Sequence, residues 1–118
     1  MIFPQVRANL VPGTILPGTR YSVKGIYRRR GEAALVYRIP NRTDANGWYE
    51  KGVTESDCER AYERLTTSGE FSRAWFRENL PEADAEGPCN FIVIGKVFVL
   101  LGVAAYTRGK YTTRALAA

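Results

Sequence analysis

The stretch FIVIGKVFVLLGVAAY, Phe91 to Tyr106, decides how the rest of the chain is read. It is apolar over 16 residues, with Lys96 inside it. A membrane-spanning helix takes about 20 apolar residues, so this stretch reads as a core element, and no membrane partner is expected. Two core elements compete for it. As a helix, Phe91, Ile94, Phe98 and Leu101 fall on one stripe, Asn90 caps the start and Gly102 the end. As a hairpin, FIVI and VFVLL flank a Gly95-Lys96 turn, which the β-branched residues favour. The ending Leu100-Leu101-Gly102 favours the helix. Ile92, Val93, Val97 and Val99 make that helix apolar almost all round, so it needs cover on both sides.

Working outward, Val103 to Thr107 and Tyr111 to Arg114 flank Arg108-Gly109-Lys110 and read as a small terminal hairpin. Upstream, EADAEGP (residues 82–88) reads as an acidic loop. A short helix is expected over 70–79, with Phe71, Ala74 and Trp75 inward and Pro81 ending it. Before it, Thr54-Glu55-Ser56-Asp57 resembles a capping box, and Cys58, Ala61, Tyr62 and Leu65 follow at helical spacing until Ser68-Gly69. Glu55, Glu59 and Glu63 form an outer stripe that reads as solvated. RYSVKGIY (20–27) and ALVYRI (34–39) flank an Arg-rich turn and read as a hairpin. Leu35, Tyr37 and Ile39 lie on one face of it and Ala34, Val36 and Arg38 on the other. After the turn residues NRTDANG, a third short strand starts at Trp48. Residues 1–19 hold Pro4, Pro12, Pro17, Gly13 and Gly18 and read as an extended arm, not a helix. Residues 20–118 read as a single α+β domain: an N-terminal antiparallel sheet of about three strands, two to three helices and a small C-terminal hairpin.

From residue 70 to 114 this order is helix, loop, helix ending in Leu-Gly, strand, Arg-Gly turn, strand. In LLGVAAYTRGKY it resembles the end of a winged-helix domain, where a recognition helix precedes a wing hairpin. The resemblance implies duplex binding, with Lys96 on the recognition helix and Arg108, Lys110 and Arg114 on the wing. The helix departs from that pattern, because a base-reading helix exposes polar side chains and this one offers only Asn90 and Lys96. KGVTESDCERAYERL (51–65), with GEFSRAWF and CNFIVIGKVFVLLG after it, also resembles small bacterial proteins of the mobile (integron) gene-cassette type. That likeness implies a stand-alone bacterial domain and carries no activity with it.

Composition narrows the chemistry. The chain of 118 residues has no histidine, which excludes a histidine base, a Ser-His-Asp or Cys-His nucleophile and a histidine-ligated metal. No GxxxxGK[ST] phosphate loop occurs. Cys58 and Cys89 form no CxxC pair and read as structural thiols, with a disulfide or a reactive thiol as the alternatives. No catalytic residue, cofactor or metal is therefore expected. MIFPQVRANLVPG (1–13) lacks a basic start followed by an apolar run, so a cytoplasmic location is expected.

The net charge of +5 is segregated: +6 over residues 1–54, −5 over 55–89 and +4 over 90–118. Arg20, Lys24, Arg28, Arg29, Arg30, Arg38 and Arg42 are interleaved with Tyr21, Tyr27, Tyr37 and Trp48. Arginines hold phosphates and aromatics stack bases, so DNA or RNA is the first expected partner. The competing reading is that the rings are core and the arginines keep a sheet edge soluble. The alternative function is a self-associating interaction module or a small-ligand module with a pocket lined by Trp48, Trp75 and Phe76. The adjacency of Trp75 and Phe76 supports it, since both cannot face one core. A homodimer mating the basic and acidic segments is the corresponding partner.

Overall fold

A computed structural model describes residues 1–41, 43 and 47–114. The first element is a helix, α1 (Phe3–Asn9), which corrects the expectation of an extended arm. Pro4 sits in the first helical turn, where no N–H is required and a fixed φ helps. Ile2, Phe3, Val6 and Leu10 recur at helical spacing, and all are buried. The start of the helix is held from afar. The Glu59 carboxylate accepts from the Ile2 N–H at 2.8 Å and the Phe3 N–H at 3.1 Å. Glu59 therefore caps a second helix instead of belonging to a solvated stripe. Beyond Leu10 the chain turns back on itself, with Leu16 buried and Ile15 bridged to Ser22.

β1 (Ser22–Arg29), β2 (Glu32–Pro40) and β3 (Trp48–Thr54) form the expected antiparallel sheet in the order β1-β2-β3. Arg30 and Gly31 both have positive φ, +50° and +76°, so the β1–β2 turn has the hand that suits twisted strands. A bulge at Lys24 shifts the register between Val23 and Gly25. Val23, Leu35, Tyr37 and Val53 join the core cluster. Register places Tyr27, Arg29, Arg38, Glu50 and Trp48 with Ala34 and Val36 on the other face.

α2 (Glu55–Ser68) starts and stops as expected. The Thr54 hydroxyl accepts from the Asp57 N–H, and Gly69 at φ +87° closes the last turn onto Leu65. Next comes a correction, because residues 70–79 are not one helix. Glu70–Ser72 is a strand, β4, followed by α3 (Arg73–Asn79). Extended backbone at Ser72 frees its hydroxyl to accept from the Trp75 N–H at 3.2 Å, which starts the helix late. Phe76, not Ala74, is the buried residue of α3. The acidic loop is likewise a helix, α4 (Pro81–Glu86). Pro81 opens it, and Glu82 and Asp84 lie in the first turn, where the helix dipole favours them.

α5 (Cys89–Leu100) settles the choice between helix and hairpin for residues 91–101 in favour of the helix. Gly102 follows it at φ +78°. Asn90 is not its cap but a buried side chain inside it. β5 (Ala104–Thr107) and β6 (Lys110–Thr113) form the expected hairpin, and β4 joins them in a sheet ordered β4-β6-β5. The architecture is thus α+β with five helices among the described residues, against the two to three expected. None of them is long and apolar enough to cross a membrane.

Gly95 explains why a glycine interrupts α5. A Cβ there would lie 2.1 Å from the Tyr111 ring, so the bare backbone is the seat of that ring. Replacing an interior helical glycine by alanine ordinarily stabilises by about 0.5–1 kcal/mol. Gly95→Ala is expected to do the reverse, with overpacking costing about 1–3 kcal/mol. Urea denaturation of the variant beside the parent protein measures the sign.

Candidate functional site

The sheet face bearing Tyr27 and Trp48 collects Lys24, Arg29 and Arg38 of the seven expected hairpin cations. The Lys24 ammonium lies 4.8 Å from the centre of the Tyr27 ring, and the Arg38 guanidinium lies 4.2 Å from that of Trp48. Both rings remain about half exposed, at 49% and 51%. Glu50, opposite Arg38 on β3, joins the two cations. It accepts from Lys24 Nζ at 3.0 Å and from Arg38 Nε at 3.2 Å. Those bonds, Lys24's first, hold the Glu50 carboxyl below the usual carboxylate range. The Arg29 stem lies along the same face against Gly52, where a Cβ would come within 2.5 Å of Arg29 Cδ. The face is a diagonal row of ring, cation, carboxylate, cation and ring.

The three consecutive arginines do not act together. Arg28 folds back to the Gly31 carbonyl at the turn. Arg30 turns to the acidic helices, where its guanidinium meets Asp57, Glu82 at 2.6 Å and Glu86 at 3.2 Å. Asp57 is nearly buried, so Arg30 is the clamp that neutralises it. The basic hairpin and the acidic middle segment therefore mate inside one chain. Glu32 adds to this by accepting from the Ser56 N–H and hydroxyl.

The other expected residues disperse. Arg42 lies outside the described residues. Lys110 pairs with Glu70 at 2.7 Å, and Arg108 and Arg114 are exposed on the C-terminal hairpin. Arg20 and Lys96 meet at a separate cleft beside α5. The expected pocket of Trp48, Trp75 and Phe76 is corrected. Trp48 lies on the sheet face under Arg38, Trp75 packs edge-on to Phe71, and Phe76 is fully buried. One strand thus supplies the ring that serves both neighbours: Phe71 lies 5.9 Å from Trp75 and 6.3 Å from Phe76.

Both cysteines are free, as the spacing led one to expect. Burial pushes the Cys58 thiol well up, which makes it inert. Cys89 Sγ sits 3.1 Å from the Tyr37 hydroxyl, which donates to Asn90 Oδ1 at 2.6 Å. Burial, and then the Cys89 contact, pushes the Tyr37 phenol far up, so it stays a donor. The role of Glu50 was missed in the sequence, although pairing β2 with β3 would have put it beside Arg38. No protein-family model, curated protein or solved structure matches the chain.

Arg30 and Arg108 occupy equivalent turns at positive φ, +50° and +48°, each followed by glycine. Asparagine suits that conformation better than arginine does. Arg108 has no ion-pair partner among the described residues, so Arg108→Asn is expected to stabilise by about 0.5 kcal/mol. Arg30→Asn strands Asp57 and is expected to destabilise by about 1–3 kcal/mol. Parallel thermal melts of the two variants give opposite shifts if the Arg30 clamp has this role.

Proposed function

We propose that the protein is a non-enzymatic module that binds single-stranded nucleic acid across the outer face of its N-terminal sheet. The observation that carries this reading is the pair of half-exposed rings, Tyr27 and Trp48, on one face with Lys24, Arg29 and Arg38. Bases of any sequence stack on such rings while cations hold the phosphates, which gives affinity with little sequence preference. Glu50 subtracts from the charge but fixes Lys24 and Arg38 in place, so less side-chain entropy remains to be lost on binding.

Single strands fit better than a duplex. The half-buried residues of α5 are Cys89, Ile92, Lys96, Val99 and Leu100, with one charged group to offer a groove. The stretch that resembles a winged-helix end departs from it in its first half, where residues 70–72 are a strand and the expected loop is α4, and the chemistry of the α5 stripe offers little for base reading. Exposed Arg108 and Arg114 on the hairpin add phosphate contacts for a longer strand. Intramolecular mating of the basic and acidic segments removes the charge argument for a homodimer.

Fluorescence anisotropy with labelled oligothymidine and a duplex of equal length, across a salt series, tests the proposal. The single strand is expected to bind more tightly, with affinity falling steeply as salt rises. Trp48→Ala should weaken it about tenfold, the worth of one stacked base. Glu50→Gln should tighten it and steepen the salt slope, since it removes the negative charge at the centre of the row. No binding at low salt, or a Trp48→Ala variant that binds unchanged, refutes the reading.

A further inference from the structure

A cleft of about 600 Å³ opens beside α5, away from the Tyr27–Trp48 row. α5 contributes Ile92 and Lys96, the C-terminal hairpin Tyr106 and Tyr111, and the turn before β1 Arg20 and Tyr21. Its volume falls within the span of small-molecule sites, about 300–1,000 Å³. Its walls are preformed. Leu16 is fully buried beneath the turn, the Leu16 N–H bonds the Tyr21 carbonyl at 3.0 Å, and the Thr19 hydroxyl bonds the Leu16 carbonyl at 2.9 Å. On the opposite side Tyr106 stands edge-on to Tyr111 at 5.3 Å, and Tyr111 is seated on Gly95.

The cations at this cleft differ from those that meet carboxylates elsewhere on the molecule. Lys24 and Arg38 share Glu50, Lys110 has Glu70, and Arg30 has three carboxylates. Arg20 and Lys96 have no ion-pair partner among the described residues, and no carboxylate lines the cleft. Lys96 is nonetheless held in place, its ammonium 4.6 Å from the Tyr106 ring centre and 5.9 Å from that of Tyr111. A positioned, uncompensated cation over aromatic walls takes an anion, and the apolar walls of Ile92, Tyr21 and Tyr106 reward a flat ring attached to it.

We infer that this cleft binds a small aromatic anion, a planar ring carrying a phosphate or carboxylate. Lys96 and Arg20 hold the acid group and the Tyr21–Ile92–Tyr106 wall covers the ring. The site is independent of the single-strand reading, since it shares none of the residues of the Tyr27–Trp48 row.

The test is titration of the full chain, by calorimetry and by amide chemical shifts, with adenosine 5′-monophosphate and with indole-3-acetate. Adenosine and inorganic phosphate are the half-ligand controls. At least one whole ligand is expected to bind at least tenfold more tightly than either half and to shift the amides of Arg20, Lys96 and Tyr106. The better binder tells a phosphate from a carboxylate source. Lys96→Gln keeps the aliphatic stem and should lose at least tenfold in affinity, with shifts outside the cleft unchanged. Arg20→Ala, on an exposed turn residue, supplies a second variant that leaves the core untouched and should also weaken binding. Binding of neither ligand at millimolar concentration overturns the inference. So do shifts confined to Tyr27 and Trp48, adenosine or phosphate alone matching the whole ligand, or both variants binding as the parent does.

Discussion

The structure is organised around the need to cover α5. A twelve-residue helix with Phe91, Val93, Ile94, Val97 and Phe98 buried has little solvent face to spare, so elements from across the chain supply its coat. Tyr62 of α2 meets Phe98 at 5.9 Å, Phe76 of α3 meets Phe91 at 5.7 Å, and Tyr111 of β6 meets Phe91 at 5.5 Å. Tyr37 of the N-terminal sheet reaches Asn90, next to Phe91 in the first turn of α5. Dispersion and hydrophobic burial summed over so many rings explain why the two small sheets hold together. The same covering leaves α5 only a narrow stripe for solvent, and that stripe lines a cleft instead of presenting a reading face.

Two local devices make the covering specific. Phe71, on a strand of three residues, touches Trp75, Phe76, Phe91, Phe98 and Tyr111, so one ring fixes how α3, α5 and β6 meet. Asn90 is the polar counterpart. Its amide donates to the Ala83 carbonyl at 2.9 Å and accepts from Tyr37, so a fully buried polar side chain is satisfied on both sides. Leaving either group without its partner would cost about 1–3 kcal/mol, which ties α4 and β2 to a single register on α5.

What the sequence made readable was what short-range physics decides. The Thr54 cap, the Gly69 stop, both Arg-Gly hairpins and the helix ending at Leu101-Gly102 all rest on residues close in the chain. What escaped it was settled by distant partners. Residues 3–9 fold as a helix because Glu59, more than fifty residues away, satisfies their first donors. Glu70–Ser72 is extended because β6 offers a ladder there, which overrides a helical pattern that would have placed Phe71 and Trp75 on one face. Asn90 looked like a cap because its acceptor role toward Tyr37 depends on a sheet that no local window contains. The candidate site followed the same rule. The cations were visible, but which of them meet carboxylates was decided by strand register and by the docking of the acidic helices.

That pairing carries the functional argument, because a cation already matched to a carboxylate has less to give a ligand. Net charge alone would have assigned the whole basic hairpin to phosphate binding. Once Arg30 is taken by three carboxylates and Lys24 and Arg38 by Glu50, the charge left over is modest and localised. What the sheet face then offers is its rings: Tyr27 and Trp48 keep about half their surface exposed beside the cations. The cleft offers instead two cations that have no ion-pair partner among the described residues, beside rings fixed by packing. The two surfaces make different demands on a partner, stacking first on the sheet and anion recognition first in the cleft. An oligonucleotide meets the first demand through many weak stacks along its length. A small ligand meets the second only if one molecule carries both the acid and the ring, because neither half alone fills a cleft of that size and charge.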